Sequence, residues 1–126
     1  MLDRIRDVLR ERDYLPVLFD FDRPASRSAM ETVSTLAHMA RFVIADLTDA
    51  RSVLQELQGI VPNLPSVPIQ PLLHVSDYEP GMVDFFKPYP WFLEAHHYED
   101  LESLLGSLEA SVITPAEEKA RQLTVG

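Results

Sequence analysis

The sequence predicts an α/β domain, a mostly parallel sheet of about four strands with helices on both faces. Three observations predict it. Short apolar runs rich in β-branched residues, such as Phe42-Val43-Ile44, are too short for helices and read as buried strands. They alternate with stretches whose apolar residues recur at helical spacing, the pattern of an amphipathic helix lying on a sheet. Acidic, serine and proline residues at the junctions supply turns and helix caps.

Each element follows in order. Leu2, Ile5, Val8 and Leu9 share one helical face, and Asp3, Arg4, Arg6 and Asp7 share the wet one. Leu15-Pro16-Val17-Leu18-Phe19 reads as a strand, ended by Asp20-Phe21-Asp22 and Pro24, with Pro16 tolerable near its beginning. Ser28 and Glu31 form a capping box for a helix running to about residue 40, whose apolar face is Val33, Leu36, Ala37 and Ala40. The strand at residues 42–44 closes with Asp46 and Asp49, and Ser52 with Gln55 caps the next helix. Val53, Leu57, Ile60 and Val61 are its buried face, and Pro62 ends it.

Residues 67–74 have strand character, although Pro68 and Pro71 remove two ladder donors and push the strand toward a sheet edge or irregularity. A short helix is expected over residues 79–87, broken by Pro88 and Pro90, and Trp91-Phe92-Leu93-Glu94 reads as the last strand. Asp100 caps a core helix with the stripe Leu101, Leu104, Leu105, Leu108 and Val112. Thr114-Pro115-Ala116-Glu117 then looks like a fresh helix start, which divides the chain into a domain over residues 1–113 and a helical tail or linker over 114–126.

Composition bounds the function. The chain has 126 residues, 46% hydrophobic and 25% charged, which suits one core. The absence of cysteine excludes disulfides, thiol catalysis and cysteine-ligated metal. A net charge of −9 argues against general nucleic-acid binding, which depends on neutralising phosphates. No window resembles a membrane span and the N-terminal pattern is amphipathic, so a cytoplasmic location without membrane attachment is expected. A small ligand or a protein partner remains.

The pattern of a helix, LPVLFDFD, a capped helix, RFVIADLTDARSVLQEL and a later strand resembles a bacterial TIR-like domain, of the kind attached to pentapeptide-repeat and other modules. That resemblance covers nearly the whole chain. It implies a flavodoxin-like fold related to nucleoside 2-deoxyribosyltransferases, and an activity on the N-glycosidic bond of NAD or a related nucleotide in bacterial signalling or defence. NAD would be substrate, with no resident cofactor. The resemblance places Glu56 at the position of the group's catalytic glutamate. Its alternative implication is a non-catalytic scaffold acting by self-association. Two departures, Val53 or Leu54 in place of the usual tryptophan and a missing N-terminal strand with its ligand loop, imply that catalysis is weak or nil.

The residues themselves support a coherent chemistry. Cleaving an N-glycosidic bond develops positive charge at the anomeric carbon, which one placed carboxylate stabilises or attacks. Glu56 lies one turn after Ser52, so both share a helix face, although an acid near a helix N-terminus also simply complements the dipole. In open parallel sheets ligands bind beyond the carboxyl ends of the strands. Asp20, Asp46, Asp49 and Ser52 are therefore the ligand-binding candidates, with turn and cap roles as the plainer reading of the aspartates. His74, at a strand end, would line the same crevice, whereas His96 and His97 face opposite ways and cannot make a metal site by themselves. An empty first-strand slot would leave the strands at residues 15–19 and 42–44 to pair directly or to recruit a partner, most simply a second copy.

Overall fold

A computed structural model describes residues 2–16, 35–37, 39–47, 57–58, 60–63, 65–76 and 81–125. Helix α1 spans Leu2–Glu11 and buries Ile5 and Leu9. It stops in a Schellman turn: Asp13 adopts φ 64°, its N–H reaches Arg10 O at 3.1 Å, and Tyr14 N–H reaches Leu9 O at 3.1 Å. Tyr14 packs against the apolar cluster that contains Leu9, as is usual for the residues flanking this cap.

Among the described residues three strands form a parallel sheet in chain order: β1, Val43–Asp46; β2, Ile69–His74; and β3, His96–Tyr98. The α/β class and the parallel pairing agree with the sequence reading. Two strand assignments do not. β2 is central among the described residues, paired on both sides, despite Pro71. The last strand is β3 and not residues 91–94, where only Phe92 forms a bridge, to Ile69.

One local device explains both differences. Ile69 N–H donates to Trp91 O, while six residues later Val75 N–H donates to Tyr98 O, seven residues on from Trp91, so the outer strand carries one extra residue as a bulge between Phe92 and His96. In that ladder the N–H of residue 71 would serve Glu94 O, and Pro71 has none. The buried side chain of Gln70 supplies the missing donor, with Nε2 2.8 Å from Glu94 O and 2.9 Å from Pro71 O. Proline therefore survives in a central strand because a neighbouring amide replaces its hydrogen bond.

Alternation along the strands divides the core between the two faces of the sheet. On one face Leu72 and Tyr98 pack with Ile5 and Leu9 of α1 and with Leu104, Leu108 and Val112 of the C-terminal helical run. On the other, Ala45, Ile69 and Leu73 pack with Leu57, Ile60, Val61, Val83 and Phe86. Residues 35–37, 39, 57, 58 and 60 are helical, as the apolar spacing implied, and short 3₁₀ turns follow at Val61–Asn63 and Gly81–Phe85.

Helix α2, Leu101–Leu108, starts at Asp100, whose Oδ1 accepts from Ser103 N–H at 2.7 Å. The expected stripe is present, with Leu104, Leu108 and Val112 fully buried. The expected fresh start at Thr114 is not. α2 passes through a π-helical turn, Glu109–Ile113, directly into α3, Thr114–Val125, and Thr114 itself is helical with its N–H on Glu109 O. A π turn widens the backbone just ahead of Pro115, where an ordinary helix would lose a hydrogen bond and crowd a carbonyl. Ala116 and Ala120 of α3 are buried. Residues 17–19 of the strand predicted at 15–19 lie outside the described residues, as does its pairing with β1; Leu15 itself is 90% exposed.

Candidate functional site

The carboxyl ends of the parallel strands bring three side chains together. Asp46 closes β1, His74 closes β2 and Tyr98 closes β3. The Tyr98 hydroxyl straddles the Asp46 carboxylate, 3.4 Å from Oδ1 and 3.5 Å from Oδ2. A strong O–H···O bond is about 2.7–2.8 Å long, so this is a long contact. Sequence register creates it: Asp46 lies opposite Leu72, Leu72 opposite His96, and Tyr98 stands two residues further along the same face.

His74 packs its ring edge-on against Tyr98, with centroids 5.5 Å apart and planes at 86°. Both of its nitrogens are engaged. Nε2 lies 2.8 Å from Glu99 O, which can only accept, and Ser76 N–H donates to Nδ1 at 3.1 Å. Together these fix the orientation of the ring, and the Ser76 hydroxyl lies 2.6 Å from the same Nδ1. The imidazole is thus a buttress for Tyr98.

Of the residues singled out in the sequence, Asp46 and His74 share this edge. Asp20, Asp49, Ser52 and Glu56 lie outside the described residues. Tyr98 was missed because the last strand was placed at residues 91–94; the aromatic closing the run His96-His97-Tyr98 was the available signal. His96 and His97 do face opposite ways. His96 Nε2 is 3.4 Å from Ser107 Oγ on the α2 side, and its pKa is lowered by burial and by the neighbouring charge of His97. Among the described residues no group of three or more His, Asp or Glu side chains is placed to hold a metal ion, and no helix is long and apolar enough to cross a membrane.

At the opposite, amino end of β1, Arg41 Nε donates to both oxygens of Glu117 at 2.7 and 2.9 Å, and Tyr14 Oη donates to Oε1 at 2.6 Å. Burial pushes the Tyr14 phenol up to about 12, helped by its bond to the Glu117 carboxylate. Burial pulls Glu117 upward too, but the hydrogen bonds from Tyr14 and Arg41 and the nearby guanidinium charges outweigh it and hold the carboxyl below its usual range. This cluster is an anchor for α3, remote from the strand ends where ligands collect.

No family model matches the sequence, no curated protein matches it, and no solved structure matches the fold.

Proposed function

We propose that the chain is a nucleotide-recognising domain of TIR-like, flavodoxin-like type, which takes the ribose of NAD or a related nucleotide at the carboxyl edge of its sheet. The observation that carries this reading is the Tyr98 hydroxyl lying loosely across both oxygens of Asp46. A carboxylate and a phenol at that spacing offer acceptors for a vicinal diol and one donor in return. Supporting it, β1, β2 and β3 stand side by side in chain order and parallel, as the third, fourth and fifth strands do in the flavodoxin-like order. In that order the ligand crevice opens beside the third strand, the place this reading gives to β1 and Asp46.

Cleavage of the N-glycosidic bond would fall to Glu56, on the strength of the resemblance and of its place immediately before the helical, buried Leu57. The test has two arms. Saturable binding of NAD that weakens in Asp46→Asn supports recognition, and nicotinamide release that disappears in Glu56→Ala supports cleavage. Binding without release identifies a nucleotide sensor. Neither binding nor release at high protein concentration refutes this reading and leaves a non-catalytic association module in its place.

A further inference from the structure

Tyr98 meets Asp46 across a strand. The sheet order is β1-β2-β3, so the phenol of β3 reaches the carboxylate of β1 by passing over β2. On that face β2 presents Leu72, packed in the same apolar cluster as Tyr98, and then His74 at the strand end. Asp46 is level with Leu72 and Tyr98 is level with His74, so the crossing is diagonal and His74 stands on its outer side. The imidazole meets the crossing ring edge-on, with centroids 5.5 Å apart, and Tyr98 is only 7% exposed.

His74 is itself anchored at both ends. Nε2 lies 2.8 Å from Glu99 O, the carbonyl that follows Tyr98, and Nδ1 lies 2.6 Å from Ser76 Oγ and accepts from Ser76 N–H. Val75 N–H adds a backbone bond to Tyr98 O at 2.9 Å. The imidazole therefore touches the exit of β2, the exit of β3 and the tyrosine ring at once. At 3.4 and 3.5 Å the carboxylate holds the phenol only weakly, so packing contributes to where the hydroxyl rests. We infer that His74 is a positioning residue of the nucleotide site: it keeps the Tyr98 phenol over the Asp46 carboxylate, and ligand affinity depends on it through Tyr98. The second half of this inference rests on the reading of that edge as a nucleotide site, and the first half does not.

The experiment accordingly has a ligand-free arm and a binding arm. In the unliganded chain with isotope-labelled tyrosine, Asp46→Asn is expected to shift the Tyr98 ring signals, and to shift them less than about half as far once His74 is replaced by alanine. In the binding arm, NAD affinity should fall about fivefold to tenfold in Tyr98→Phe and by a similar factor in His74→Ala. Adding His74→Ala to Tyr98→Phe should then cost less than about twofold more, because no hydroxyl is left to place, whereas general damage to the site would multiply the two losses. An Asp46→Asn response unchanged by His74→Ala, or losses that multiply in the double variant, overturns the inference. Should the wild-type chain bind no NAD, the nucleotide reading fails by itself, and the ligand-free arm alone decides whether His74 positions Tyr98. His74 is half-buried, so His74→Ala should fold; otherwise His74→Gln, which keeps a donor for Glu99 O but lacks the ring edge, is read in the same two arms.

Discussion

Tyr14 Oη donates to Glu117 Oε1 at 2.6 Å, tying the last helix to the residue that caps the first across 103 positions of sequence. The bond gives folding stability a pH dependence with two edges. The phenol has its value raised from 10.0 to about 12 in the folded chain, so its contribution is full below pH 10 and is lost as the pH rises toward 12. Glu117 is lowered from 4.5, so its contribution is present above that value and is lost as the pH falls through the depressed one. Tyr14→Phe should therefore flatten the fall in Tm between pH 10 and 12, and Glu117→Gln should flatten part of the acid limb. Parallel pH–Tm curves for wild type and Tyr14→Phe would contradict this.

Replacing Gln70 should expose what Pro71 withholds. Gln70→Leu keeps the volume but leaves Glu94 O without its donor, which should cost about 1–3 kcal/mol by urea unfolding. Introducing Pro71→Val in the same background restores a backbone N–H and should recover part of the loss. A double variant no more stable than Gln70→Leu would show that the amide is not standing in for the missing ladder bond.

Asp13 holds φ 64° at the end of α1, a left-handed conformation that glycine adopts without strain. Asp13→Gly should raise stability by about 0.5–1 kcal/mol, whereas Asp13→Ala should not. Denaturation midpoints of the two variants check the order.

Core truncation distinguishes the two faces. Leu57 is 2% exposed beneath one face of the sheet and Leu104 is fully buried beneath the other, so either change to Ala should cost about 2–5 kcal/mol. Since the clusters lie on opposite sides, the double variant should be close to additive by the same unfolding measurement.

What was legible in the sequence was local periodicity. The spacing of Ile5 and Leu9, the β-branched run at Val43 and the Asp100 cap each belong to a single element, and all three stand as read. What was not legible depends on contacts across elements. Pro71 argued against a central strand because nothing local shows that the Gln70 amide will fill the gap. The bulge moved the last strand to His96–Tyr98, and with it the tyrosine that meets Asp46. Thr114-Pro115 has the composition of a helix start, yet a π turn carries the helix through it. Of the candidate site, Asp46 and its position at a strand end were legible, while its partner Tyr98, 52 residues away, required the register of the sheet.

The most direct test of the central claim is a titration of the isotope-labelled chain with NAD, mapping which amides respond. Saturable shifts centred on Asp46, Ser76 and Tyr98, weakened about tenfold or more by Asp46→Asn, are the predicted result. Shifts confined to other surfaces, or equal affinity in Asp46→Asn, would contradict a nucleotide site at the carboxyl edge of the sheet.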